Sequence, residues 1–190
     1  MVQAIIFDFF GVIRTDALKS WLTFHNFEPN DEMRTAIKQV DRGDISADQF
    51  FAMLGKISGQ TPAEILHEME HGAALDYHIL ELIKQLKPKY KIGLLSNASS
   101  AFIRTILREY QLDPYFDTVV VSSEVGLIKP EPAIFKLALK QLDVPPEQTV
   151  FIDDSPANVA GAKDVGIRSM IYTTSQALRN DLTALGITFD

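Results

Sequence analysis

Cysteine is absent from the 190 residues, which removes disulfides, thiolate nucleophiles and cysteine-ligated zinc together and fits a reducing compartment. Long apolar runs are missing too. Stretches such as Ala4 to Phe7 fall far short of the ~18 residues a membrane helix needs, and no basic segment stands ahead of an apolar one near residue 1. The expectation is a cytoplasmic protein without membrane association. Basic clusters are the third absence. Eighteen Lys and Arg against 25 Asp and Glu give a net charge of −7, with no cationic stripe to track phosphodiesters, so nucleic acid is not an expected partner.

What is present suffices for an ordinary core. A chain 46% hydrophobic and 23% charged is neither disordered nor fibrous, and at this length one compact domain with room for a smaller subdomain is the default. Short β-branched and aromatic runs recur at Ala4 to Phe7, Ile92 to Leu95, Thr118 to Val121, Thr149 to Ile152 and Ser169 to Tyr172, and they read as buried strands. Segments of helical period, such as Ala101 to Tyr110 and Pro132 to Leu142, separate the later ones and can return the chain parallel. The spacing predicts an α/β fold, a doubly wound, Rossmann-like parallel sheet covered by helices on both faces. From about Arg14 to Lys87 the rhythm breaks into helical patterns with start and stop signals: Asn30 and Gly43, Ser46, and the Thr61-Pro62-Ala63-Glu64 capping box. This interval reads as a helical insertion.

The polar residues after the strands carry the chemistry. Strand one runs into Asp8, strand two into Ser96 and Asn97, and strand four into Asp153 and Asp154. In an open α/β sheet the carboxyl ends of the strands form the ligand crevice, so these residues converge there. Three carboxylates in one place repel unless a cation sits among them, and an all-oxygen set suits Mg²⁺.

The ordered set Phe7-Asp8-Phe9-Phe10-Gly11-Val12, Leu94-Leu95-Ser96-Asn97, Lys129-Pro130-Glu131-Pro132 and Phe151-Ile152-Asp153-Asp154-Ser155 resembles the motifs of the haloacid dehalogenase superfamily, in particular its phosphatase-like branch with a small helical cap. The resemblance covers nearly the whole chain. It implies a core domain of residues 1–14 and 88–190 and a helical cap of residues 15–87, within which Arg42-Gly43-Asp44-Ile45-Ser46 followed by Phe50 and Phe51 is similar to one known cap pattern. It implies further that Asp8 and Lys129 are catalytic, Asp8 as the nucleophile that becomes an aspartyl-phosphate and Lys129 as the neutralising charge. Ser96, Asn97 and Lys129 would bind phosphate, and Asp8, the main-chain carbonyl of Phe10, Asp153 and Asp154 would hold Mg²⁺. The implied reaction is hydrolysis of a small phosphorylated metabolite, and nothing in the sequence specifies an oligomeric state.

One position departs from the pattern. Phosphatases of this superfamily usually carry a second Asp two residues after the nucleophile as general acid and base, a role typically worth ~10² to 10⁴ in rate, and here Phe10 stands in its place. Two alternatives arise: a metal-free 2-haloacid dehalogenase, whose first motif carries an aromatic residue and Gly as Asp8-Phe9-Phe10-Gly11 does, and a noncatalytic phospholigand-binding protein. The Asp153-Asp154 pair argues against the first, since attack on carbon needs no cation. A separate pattern, His67-Glu68-Met69-Glu70-His71, matches the zinc motif HExxH, but Ala74 and Tyr77 break the longer metzincin form. It is read as an amphipathic helix with exposed His and Glu and buried Ile65, Leu66 and Met69. His25 and His78 are read as ordinary cap residues, Asp41 and Asp44 as solvated, and Asn158 as serving a turn or a position near Asp154.

Overall fold

The computed structural model describes residues 1–189. Strands β1 (Ala4–Phe7), β2 (Lys91–Ser96), β3 (Thr118–Val121), β4 (Thr149–Asp153) and β5 (Arg168–Ile171) form one five-stranded sheet in the order β3-β2-β1-β4-β5, with every pairing parallel. All residues of β1 and β4 are buried, as strands covered on both faces must be. Each of the expected strands is present, and the α/β class is as the sequence predicts.

Helices α6 (Ser100–Glu109), α7 (Ser122–Val125), α8 (Pro132–Leu142), α9 (Pro156–Asp164) and α10 (Ser175–Ala184) connect or follow the later strands. One face of the sheet buries Ile5, Phe7, Ile92, Leu94 and Ile152 with residues of α6 and α10. The other buries Ile6, Leu95 and Phe151 against α8 and Ala162 of α9.

Between β1 and β2 lie α1 (Ala17–Phe24), α2 (Asp31–Arg42), α3 (Ala47–Ser58), α4 (Pro62–His71) and α5 (Tyr77–Leu86). Their ends obey the sequence signals: Asn30 accepts from the Met33 amide, while Ser46 with Gln49 and Thr61 with Glu64 complete capping boxes. Helices α1 to α4 share an apolar cluster of their own around Trp21, Phe50, Leu54, Ile65 and Met69.

Helix α5 behaves differently. Its Ile79, Leu80, Leu82, Ile83 and Leu86 join the cluster beneath the sheet. Two chain segments cross just ahead of it: the Thr15 amide donates to Ala74 O at 2.9 Å and the Asp76 amide to Ile13 O at 2.8 Å. An amphipathic stripe looks the same whichever partner covers it, and that is why the sequence leaves α5 with the insertion.

Candidate active site

Register carries the chemistry-bearing residues to one edge. β1 is central, with Phe7 opposite Leu94 on one side and Ile152 on the other, so Asp8, the end of β2 and the end of β4 emerge side by side. The Asp8 amide donates to Ile152 O at 2.9 Å and extends the ladder into the site.

The centre of the site is Lys129. Its Nζ lies 2.7 Å from Asp8 Oδ1 and 2.7 Å from Asp153 Oδ2, and all three side chains are buried. Lys129 is held from its backbone as well, because Asn97 Nδ2 donates to Lys129 O at 3.0 Å and the Lys129 amide donates to Asn97 Oδ1 at 2.8 Å. The side chain of Asn97 is therefore spent on positioning. Asp153 is saturated: besides Lys129 it accepts from the Ser155 amide at 2.8 Å and from Asn158 Nδ2 at 3.0 and 3.1 Å. Asn158 thus acts on Asp153 and not on Asp154, a partner that its place in the sequence does not reveal.

Asp154 is freer. A 3.6 Å approach of the exposed Lys19 is its one ion pair among the described residues. Gly11, at φ +84°, lies against it so closely that a Cβ there would stand 2.6 Å from Asp154 Cγ, so only glycine lets this carboxylate occupy its place. Asp8, Asp153 and Asp154 each offer a carboxylate oxygen within 4.8 Å of the others. A hard, all-oxygen set of this kind fits a magnesium ion.

The electrostatics agree. Burial pushes the Asp8 carboxyl up, Lys129 opposes and Asp153 adds, leaving it well above its ordinary range. Burial also raises Asp154, with Lys19 opposing and Asp153 and Asp16 adding. For Lys129, burial works against the charge, yet Asp8 and Asp153 together outweigh it and its pKa is raised, so the ammonium persists. At the end of β2, Ser96 Oγ is buried with no hydrogen-bond partner among the described residues. Buried hydroxyls are rarely left so, and an orphan at this edge keeps its bonding capacity for a ligand.

Beside these groups a cavity of about 190 Å³ opens between sheet and cap. Phe10, Asn97, Ala98, Ser99 and Phe102 line it from the core, and Leu18, Ile37, Phe50, Phe51 and Met69 from the cap. Phe10 stacks on Phe102 at 6.0 Å and meets Phe9 edge-on at 5.0 Å, so its ring forms part of the wall and offers no proton.

Two readings of cap residues are corrected. Asp41 is not solvated; it faces this cavity. Its carboxyl is pushed up to about 7, by burial first, with Lys129 opposing and Asp16 adding. Folded Asp41 holds its proton more tightly than the unfolded chain does. Its contribution to stability is therefore full below the ordinary carboxylate pKa of ~4 and is lost as pH rises through about 7. The advantage of Asp41→Asn over the unaltered protein in denaturant unfolding should be small at pH 4 and grow to about 1–3 kcal/mol at pH 8. An equal difference at both pH values would contradict this.

Glu68 is the second correction, since it turns inward and accepts from Trp21 Nε1 at 2.9 Å and Gln60 Nε2 at 2.7 Å and pairs with His25 at 2.7 Å. Its neighbours His67 and His71 lie on the exposed face with ring centroids 4.0 Å apart and the rings tilted by 46°. The HExxH pattern thus serves to tie α4 to α1, and His25 is a partner in that tie. Among the described residues, the one cluster able to hold a metal is the aspartate triad.

Comparison with known proteins agrees with this geometry. The chain matches the model of the haloacid dehalogenase-like hydrolases over residues 2–166. It is 28% identical to a D-ribitol-5-phosphate phosphatase of Bacteroides thetaiotaomicron, with 97% of this chain and 98% of that one covered. In fold it is similar to a HAD-like family hydrolase from Porphyromonas gingivalis (TM-score 0.79, 24% identity, 99% of both chains). It is also similar to a HAD family enzyme from Bacteroides thetaiotaomicron in complex with magnesium and inorganic phosphate (TM-score 0.74, 23% identity, 91% of this chain and 95% of that one). No helix among the described residues is long and apolar enough to cross a membrane. With the model match spanning most of its length, the chain belongs to the haloacid dehalogenase-like hydrolases.

Proposed function

We propose that the protein is a Mg²⁺-dependent phosphatase of a small phosphorylated metabolite, working through a phosphorylated Asp8. The observation that carries this reading is the aspartate triad around Lys129. A dehalogenase attacking carbon has no use for a second pair of acids, and a bare phosphate-binding fold has no use for a carboxylate fixed beside an ammonium. The similarity to a ribitol phosphate phosphatase supports it as well.

In this reading Asp8 is the nucleophile. Its Oδ1 is engaged by Lys129 Nζ and by the Phe9 amide at 2.7 Å, which fixes the carboxylate plane and leaves Oδ2 for attack on phosphorus. Lys129 keeps its charge through Asp8 and Asp153 and offsets the charge that develops on the phosphoryl oxygens. Ser96 Oγ supplies a hydroxyl to one of those oxygens, and the backbone amide of Asn97 supplies another donor. Asp8, Asp154 and the main-chain carbonyl of Phe10 would hold the cation directly, while Asp153, saturated by Lys129, Ser155 and Asn158, orients Lys129 and sits behind the ligands. When bound, magnesium supplies positive charge that draws the phosphate to Asp8. The apolar cavity admits the rest of the substrate and favours a leaving group of modest size with apolar surface.

A panel of phosphoesters that includes p-nitrophenyl phosphate tests the reading. Turnover is expected with Mg²⁺ and should fall to background in excess chelator, then return when Mg²⁺ is restored. Persistence of full activity in chelator would sink the metal role, and halide release from 2-haloacids would favour the dehalogenase instead.

A further inference from the structure

Departure of an alkoxide from phosphorus calls for a proton, and the ring of Phe10 cannot deliver one. Phosphoryl transfer through Asp8 thus lacks an acid, and the choice of one rests on the phosphatase reading. Two titratable side chains line the cavity next to Phe10 and Asn97, Asp16 and Asp41. Asp16 is occupied as the N-cap of α1, where its Oδ1 accepts from the Lys19 amide at 3.0 Å. Asp41 differs: among the described residues no group gives its carboxyl a hydrogen bond or an ion pair.

Its place is nonetheless fixed. The Asp41 carbonyl accepts from Ser122 Oγ, and Arg42 pairs with Glu131, two residues beyond Lys129. Gly43, at φ +86°, presses so close that a Cβ there would stand 2.8 Å from Ser123 O. The last turn of α2 is thus clamped to α7 and to the segment carrying Lys129, which fixes Asp41 in the wall of the cavity that Phe10 and Asn97 also line.

We infer that Asp41, brought by the cap, is the general acid and base of the reaction in place of the residue two positions after the nucleophile. In the first half, an Asp8 oxygen bonds to phosphorus, the bond from phosphorus to the leaving oxygen breaks, and the protonated Asp41 gives its proton to that oxygen to release an alcohol. In the second half, the Asp41 carboxylate takes a proton from water as the water oxygen bonds to phosphorus. The phosphorus bond to Asp8 then breaks, releasing inorganic phosphate, the Asp8 carboxylate and a reprotonated Asp41. Burial suits the carboxyl to both directions by keeping a large protonated fraction near neutral pH, with Lys129 and Asp16 the charged groups that act on it.

The test compares p-nitrophenyl phosphate, whose leaving group needs little protonation, with phenyl phosphate, whose leaving group needs more. Values of kcat/KM, which report phosphorylation of Asp8, are measured with Mg²⁺ for the unaltered protein, Asp41→Asn and Asp41→Ser. The two replacements differ in fit but share the lost acid, so either one that folds gives the readout. The expected result is a loss of about 10²-fold or more on phenyl phosphate with p-nitrophenyl phosphate within about threefold. In both variants kcat on the nitrophenyl ester should also fall, with a burst of nitrophenol, because water then lacks its base. Equal losses on the two esters, or none on either, would overturn the assignment of Asp41 alone. An unaltered protein silent on every ester would remove the phosphatase reading and this inference with it.

Discussion

Asp8→Asn is expected to fold normally and to lose turnover on every phosphoester, by ~10⁴-fold or more, as removal of a covalent nucleophile does elsewhere. The substitution keeps the shape of the side chain and the hydrogen bond from the Phe9 amide. It removes a buried carboxylate whose charged form burial already disfavours, and Lys129 retains Asp153 as a partner. Stability of the metal-free protein should therefore stay level or rise while activity disappears. Kinetics on the activated ester, run beside a denaturant titration, check both halves at once. Retention of more than a tenth of the activity would mean that Asp8 is not the group that attacks.

Lys129→Met is expected to have the largest combined effect. The substitution keeps the length and apolar stem of the side chain but deletes a buried ammonium 2.7 Å from each of two carboxylates. Breaking a buried pair from one side typically costs about 3–5 kcal/mol, because the partner charge stays buried and uncompensated. Here two partners are left. Asp153 keeps the Ser155 amide and Asn158, but among the described residues Asp8 keeps only the Phe9 amide. Because burial raises the folded Asp8 pKa and Lys129 opposes that rise, deletion of Lys129 raises it further. The penalty should be small below pH ~4, where Asp8 binds its proton in both states, and should grow as pH rises. Turnover should fall by ~10² to 10³, the usual scale for loss of one preorganised charge at the reacting centre. Unfolding at pH 4 and pH 8 with Mg²⁺ absent, together with kcat/KM at pH 8, gives the comparison. A variant as stable as the unaltered protein at pH 8 would contradict this charge geometry.

The sheet and its carboxyl edge are legible in the sequence because their signals are local. A parallel strand buried on both faces is a short unbroken apolar run, and a polar residue directly after it, such as Asp8 or Ser96, can only fall at the crevice. Proximity between distant segments is visible only in the folded chain. Asp41 sits in a helix whose pattern leaves it among polar neighbours, and only the docking of α2 on α7 turns it toward the cavity. Asn158 has the pattern of a turn residue until β4 and α9 set it against Asp153. Glu68 reads as surface because nothing in its helix shows that Trp21 and His25 lie opposite. The apolar stripe of α5 gives no sign of whether sheet or cap will cover it.

The mechanism stands or falls on the passage of phosphate through Asp8. Mass spectrometry of the protein, acid-quenched during Mg²⁺-dependent turnover of p-nitrophenyl phosphate, tests it most directly. The predicted result is a phosphoryl group on the peptide containing Asp8, labile to hydroxylamine and absent from Asp8→Asn. Turnover with Asp8 unmodified, or with the phosphoryl group on a different residue, would contradict it.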